Sequence, residues 1–161
     1  MLCSAAMSAK PPGRLIALDV GTKTIGLAVC DPLRMLARPL TTLARKGVKK
    51  DVAALLPIVA EQGIVGLVVG LPLALDGAET RSTRLARQVG DALAEATCLP
   101  LAYHDERFSS VEAERRLLAQ DMSRKKRKQR IDQAAAAVIL QDFLDSSEST
   151  GFVPIFFGKI P

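Results

Sequence analysis

Hydrophobic positions fall in short blocks separated by polar or turn-forming residues. Leu15-Ile16-Ala17-Leu18-Asp19-Val20 is an apolar run broken by one acid, and Ile25-Gly26-Leu27-Ala28-Val29-Cys30 follows it closely. The pattern predicts strands over Arg14 to Val20 and Thr24 to Cys30. Gly21-Thr22-Lys23 forms the turn, with Gly21 free to take positive φ. So short a connection implies an antiparallel hairpin. Asp31-Pro32 ends the second strand, and Ala37 to Leu43 reads as a third.

The next blocks change period. Asp51 is placed to cap a helix in which Val52, Leu55, Leu56 and Val59 keep helical spacing. Pro57 conflicts with a regular helix there, so a kink or an irregular first half is expected. Gly63 ends it. Ile64 to Val69 is continuously apolar, as a parallel strand buried on both faces would be. Gly70-Leu71-Pro72 terminates that strand, and Asp76-Gly77 makes a polar turn. Thr80 to Ala96 reads as a helix with Leu85, Val89 and Leu93 on one face, and Pro100 to His104 as a short strand. Ser109 and Glu112 have capping-box spacing, which predicts a helix to about Gln120. A last helix is expected over Ile131 to Leu144, with Ile131, Ala134, Ala135, Val138 and Ile139 inward.

This order predicts an α/β fold with a mixed central sheet. The first three strands pair antiparallel, and later parallel strands join through helical crossovers that cover the faces. Residues 1–13 read as a disordered leader, 14–145 as one domain and 146–161 as a C-terminal tail. Phe152, Phe156 and Phe157 in the tail suggest no function.

At 161 residues and 48% hydrophobic content, one domain with a sizeable aliphatic core is the default. Cys3, Cys30 and Cys98 are odd in number and widely spaced, and His104 is the only histidine. That spacing argues against a zinc site or a disulfide framework and fits incidental thiols in a reducing compartment. No apolar run approaches the roughly 20 residues of a membrane span, and residues 1–10 lack the layout of a signal peptide. The expected location is the cytoplasm, with no membrane partner.

Charge then directs attention to a polyanion. The net charge is +5, a weak indication by itself. Its distribution is more telling. Arg124, Lys125, Lys126, Arg127, Lys128 and Arg130 form a basic run ahead of the last helix. A solvated loop is the plain reading, but cations at a helix N-terminus oppose its dipole, a cost that bound phosphates would offset. Lys23, Arg81, Arg84 and Arg107 are placed as further nucleic-acid contacts. Tyr103 reads as core, and the aromatic residues do not make a base-stacking platform.

Against this basic background, four acids stand at strand ends or a helix start. Burying the Asp19 carboxylate without a partner would cost several kcal/mol, roughly, so it needs a cation, hydrogen bonds or an open cleft. Asp105 and Glu106 follow the last strand. Neighbours there face opposite ways, so one of the two is expected to serve a site. Asp132 stands in the predicted first turn of the last helix. Plainer roles are a turn cap for Asp19, a solvated strand exit for Asp105-Glu106 and a helix-dipole acid for Asp132. Gathered in one cleft, such carboxylates suit Mg2+ or Mn2+ and the two-metal hydrolysis of a phosphodiester.

Four stretches resemble one family. They are Leu18-Asp19-Val20-Gly21-Thr22-Lys23-Thr24-Ile25-Gly26-Leu27-Ala28, Val69-Gly70-Leu71-Pro72-Leu73 with Asp76-Gly77, His104-Asp105-Glu106-Arg107-Phe108-Ser109-Ser110-Val111-Glu112-Ala113, and Ile131-Asp132-Gln133-Ala134-Ala135-Ala136. In this order they resemble the YqgF/RuvX family, the Holliday-junction-resolvase-like pre-16S ribosomal RNA nucleases. The likeness covers about Arg14 to Leu144. It implies a ribonuclease H-like fold and metal-dependent hydrolysis in 5′ maturation of 16S ribosomal RNA. Asp19, Glu106 (or Asp105) and Asp132 would be the metal-binding acids. True junction resolvases carry a second acid three residues into the last motif, where this chain has Ala135, which argues against branched DNA as the substrate.

Two other function classes compete. One is a non-catalytic RNA-binding module of ribosome assembly, which would bind RNA without Asp19 and cleave nothing. The other is a phosphotransferase of the actin and sugar-kinase type, whose second lobe 161 residues leave no room for. The sequence allows a monomer or a homodimer.

Overall fold

A computed structural model describes residues 13–106 and 124–146, except for the side chains of 124–133. Its elements in order are β1 (Arg14–Val20), β2 (Thr24–Cys30), β3 (Ala37–Ala44), α1 (Val48–Glu61), β4 (Ile64–Leu71), α2 (Arg81–Thr97), β5 (Leu101–Asp105) and α3 (Arg124–Asp145). The strands form one sheet of order β3-β2-β1-β4-β5. β1 to β3 pair antiparallel, while β1 with β4 and β4 with β5 pair parallel. The α/β arrangement read from the sequence is therefore the observed one.

Burial on both faces explains why β1 and β4 lack polar alternation. Ile16, Leu18 and Val20 enter a core with Val52, Leu55 and Val59 of α1 and Val89 and Leu93 of α2. Leu15 and Ala17 enter a second core with Ala135, Ala136, Ile139, Leu140 and Phe143 of α3. The odd positions of β1 thus look toward α3 and the even ones toward α1 and α2.

Two helix starts differ from the sequence expectation. Gly47, not Asp51, is the N-cap of α1. Asp51 is buried one turn inside, where its carboxylate accepts the Lys46 N–H at 2.8 Å and pairs with Arg45. The buried ion pair outweighs the capping preference. Likewise the described part of α3 already includes Arg124, so the basic run from Arg124 to Arg130 lies inside the helix rather than before it. Asp132 therefore sits in the third turn, and a helix-dipole role no longer fits it.

Pro57 does not interrupt α1, which runs unbroken from Val48 to Glu61. Pro57 and Ala53, whose carbonyl loses its helical donor, are both exposed, so water can take the lost bond. Thr80 caps α2 through a reciprocal pair of hydrogen bonds with Thr83. Tyr103 is half-buried against the α2 core and donates to Asp91 Oδ1 at 2.5 Å. The side chain fits because Gly90 of α2 has no Cβ, which would lie 2.8 Å from the Tyr103 hydroxyl.

Cys30 is buried and free, and Cys98 is exposed and free. Among the described residues no helix is long and apolar enough to cross a membrane. Residues 1–12 of the 1–13 leader, the helix expected over 109–120 and residues 147–161 of the 146–161 tail lie outside the described residues.

Candidate active site

β1 carries Asp19 one residue from its C-terminal end, at the centre of the sheet. Alternation with Leu15 and Ala17 sets it on the α3 face. Asp19 pairs with Gly26 of β2, and Leu18 pairs with Val69 of β4. Carrying that parallel register one residue on sets Asp19 beside Gly70, which pairs with His104 of β5. A row of Gly26, Asp19, Gly70 and His104 thus crosses the α3 face. Adjacent members are one strand spacing apart, about 4.8 Å.

Glu106 enters this row from the end of β5. Its backbone N–H donates to Leu71 O at 3.2 Å, continuing the β4–β5 ladder past Asp105. Its carboxylate lies over Gly70. A Cβ built on Gly70 would stand 2.7 Å from Glu106 Oε1 and 3.1 Å from its Cδ. The side chain therefore fills the volume that a residue at position 70 would take, next to Asp19. Oε1 is a buried atom. Asp105 pairs with Leu71, which has the parity of the α1–α2 face, and Asp105 itself is exposed. Of the Asp105-Glu106 pair, Glu106 thus lies over Gly70 on the face that carries Asp19, and Asp105 follows the opposite parity.

His104 shares the row, and its ring meets Phe143 of α3 edge-on, with centroids 6.5 Å apart and planes at 89°. Sequence reasoning read Gly70 only as part of the Gly70-Leu71-Pro72 strand terminator, whereas β4 runs on through Gly70 to Leu71, and it gave His104 no role in the site. A glycine inside the apolar run of β4 was the available signal, because a strand glycine often marks a close approach.

α3 runs back across the sheet from the Asp19 end. Ile139 Cδ1 would stand 2.6 Å from a Gly70 Cβ, whereas Gln141 lies at the opposite end, where its Oε1 accepts the Ala37 N–H at 2.9 Å. Asp132 is thus on the part of the helix nearest the C-terminal ends of β1 and β4, two turns before Ile139. Its side chain is outside the described set, and among the described residues no group of three His, Cys, Asp or Glu side chains is gathered for a metal. Asp19 and Glu106 offer hard carboxylate oxygens at the C-terminal ends of the strands, donors suited to a hard divalent cation rather than to a soft metal.

Lys23, Arg81 and Arg84 are exposed around the same end of the sheet. Lys23 lies in the turn that follows β1, and Arg81 and Arg84 lie in the first turns of α2, after β4. The backbone of Arg124, Lys125, Lys126, Arg127, Lys128 and Arg130 forms the first two described turns of α3. Arg107 is outside the described residues.

The turn after β1 is held from outside the sheet. Arg45 Nη1 donates to Gly21 O at 3.2 Å, Arg45 N donates to Lys23 O at 2.8 Å, and its Nε pairs with Asp51 at 2.9 Å. Arg45 thereby fixes the two carbonyls that bound the turn, two residues from Asp19.

Comparison with known proteins adds the following. A family model described as "RuvX: Holliday junction resolvase" matches residues 13–146. A protein of Cereibacter sphaeroides named "Putative pre-16S rRNA nuclease" is 48% identical over 139 residues, covering 86% of this chain and 87% of that one. Proteins with the same name from Koribacter versatilis and Sphingopyxis alaskensis are 48% and 49% identical, each over 83% of this chain and 87% and 88% of theirs. Among solved structures, T. thermophilus RuvC in complex with a Holliday junction substrate aligns at TM-score 0.49 and 18% identity, over 79% of this chain and 91% of that one.

Proposed function

The chain belongs to the RuvX family and is a nuclease, and we propose that Asp19 and Glu106, completed by Asp132, hold divalent cations that serve phosphodiester hydrolysis in precursor 16S ribosomal RNA. The observation that carries this reading is the Glu106 carboxylate lying over Gly70 on the strand next to Asp19. Both acids belong to the α3 face at the C-terminal ends of the parallel strands, and a divalent cation bound there would favour their charged forms. Bound there, Mg2+ or Mn2+ supplies the Lewis acidity that phosphodiester hydrolysis needs.

The chain's own residues do the rest. Asp19, rooted in a central strand buried on both faces, gives a rigid oxygen ligand at the C-terminal sheet edge. Glu106 contributes the second ligand from the neighbouring parallel strands. Lys23, Arg81 and Arg84 bind phosphates flanking the reacting one and hold the strand in register, without reading bases. The basic turns at the start of α3 extend that track.

The substrate follows from the relatives, which carry the name of a pre-16S nuclease. Ala135 supports RNA over a branched DNA junction. It is 1% exposed and packed in the α3 core, at the position where the family resemblance implies that true resolvases carry their second acid. The deciding experiment offers the purified protein a 5′-extended 16S precursor and a four-way DNA junction, each with Mg2+, Mn2+ or a chelator. Cleavage of the precursor alone, abolished by the chelator, is expected. Cleavage of the junction alone would move the assignment to resolution. RNA binding with no cleavage in any metal would make the chain an assembly module.

A further inference from the structure

Gly70 is the residue against which both neighbouring elements close. Its missing Cβ would stand 2.7 Å from Glu106 Oε1 and 2.6 Å from Ile139 Cδ1, both closer than real Cβ contacts allow. No other residue type leaves that volume open. The obstructing atoms are the ends of two flexible side chains, not backbone. A methyl group at position 70 would therefore be admitted by swinging those ends aside, with the sheet intact. One of the ends is the Glu106 carboxylate.

We infer that Gly70 is a positioning residue of the metal site: its lack of a side chain sets how closely the Glu106 carboxylate approaches Asp19, and so sets the affinity for the divalent cation. The inference rests on Asp19 and Glu106 being ligands. It adds a cause for their spacing that neither acid supplies alone. β4 fixes Gly70 by parallel pairing with β1 on one side and β5 on the other. The floor of the site is thus as rigid as the sheet, and Glu106, which follows the end of β5, is located by contact with that floor. A ligand located by packing in this way is the arrangement in which a change at the supporting position costs about 10- to 100-fold in metal affinity.

The experiment measures Mn2+ binding by the purified full chain, by calorimetry or by the loss of free-ion paramagnetic signal. Thermal melting of each variant without metal reports the fold. Gly70→Ala is expected to melt within a few degrees of the parent, yet to bind Mn2+ at least about tenfold more weakly. Gly70→Ala with Ile139→Val removes the Cδ1 obstruction and leaves only the Glu106 one. It is expected to bind as weakly as Gly70→Ala. Gly70→Ala with Glu106→Asp shortens the displaced side chain and is expected to recover part of the affinity, although Glu106→Asp alone weakens binding. Unchanged Mn2+ affinity in Gly70→Ala would overturn the inference, as would full recovery in the Ile139→Val double variant. Failure of Gly70→Ala to fold, both alone and with Ile139→Val, would overturn it too. Asp19→Asn separates this from the underlying reading. Loss of binding there with none in Gly70→Ala sinks only the role of Gly70, whereas parent-like binding by Asp19→Asn removes the metal site and the inference with it.

Discussion

Arg45 and Asp51 form a buried ion pair, Nε to Oδ2 at 2.9 Å with side chains 9% and 2% exposed, that ties the turn after β1 to the first helix. Asp51 also accepts the Lys46 N–H, and Arg45 also donates to Gly21 O. Removing one partner of such a pair leaves the other charge buried and uncompensated. Asp51→Ala is therefore expected to lower unfolding free energy by about 3–5 kcal/mol. Urea denaturation at neutral pH checks this, and a loss within measurement error would show that water reaches Arg45 freely.

Phe143 carries the α3 core. It is 2% exposed, packs with Leu140 and Leu144 against Leu15 and Ala17, and meets His104 edge-on. Phe143→Ala is expected to cost about 3–5 kcal/mol through lost burial and a residual cavity. Because α3 also carries Asp132, the same variant is expected to lose nuclease activity at temperatures where the sheet still melts cooperatively. Parent-like stability would mean that α3 is not docked on the sheet as described.

The strands were legible because each is a short apolar block with turn residues at both ends, and β1 and β2 have the boundaries that the pattern predicts. Pairing of Asp19 with one acid of Asp105-Glu106 was legible only as far as the alternation rule goes. Choosing between them needed the β4–β5 register, which no local pattern encodes. The start of α3 was missed because a dense basic run reads as a solvated loop, although lysine and arginine are good helix formers. Asp51 was misread for a related reason. A helix-start acid has the same local signature whether it caps the end or is buried against an arginine six residues back. The sequence hinted at Gly70 only as a glycine in an apolar strand, since what closes against it, Glu106 and Ile139, lies far along the chain.

The loop between β2 and β3 gives a pH dependence of known sign. Asp31 accepts backbone N–H groups of Leu36, Met35 and Leu33 at 2.7, 2.9 and 3.1 Å. The bond from Leu36 first, then those from Met35 and Leu33, hold its carboxyl below the ordinary aspartate range. A depressed folded-state pKa adds stability that is complete above the unfolded value, about 3.9, and is lost as pH falls through the folded one. The stability gap between the parent and Asp31→Asn is expected to be constant from pH 8 to about 5 and to close below about pH 4. Denaturation midpoints across that range measure it. A gap that does not narrow as pH falls below about 4 would contradict the hydrogen-bond account.

Exposed Arg81 and Arg84 in the first turns of α2 are assigned to phosphates. Replacing both with Ala is expected to weaken RNA binding evenly across sequences. It should also reduce the slope of log affinity against log salt by roughly 1.5–2. Fluorescence anisotropy at several salt concentrations reads both quantities. An unchanged slope would remove the two arginines from the interface.

The central claim is that Asp19, beside Glu106 at the C-terminal edge of the sheet, is a ligand of the catalytic cation. Its most direct test is single-turnover cleavage of the 5′-extended 16S precursor by folded Asp19→Asn protein and by the parent, side by side in Mg2+ and in Mn2+. The account predicts that the variant melts like the parent, binds the RNA with similar affinity and cleaves at least about 1,000-fold more slowly, the scale of losing one transition-state stabilising contact of about 4 kcal/mol. Equal cleavage rates for the two proteins would contradict it.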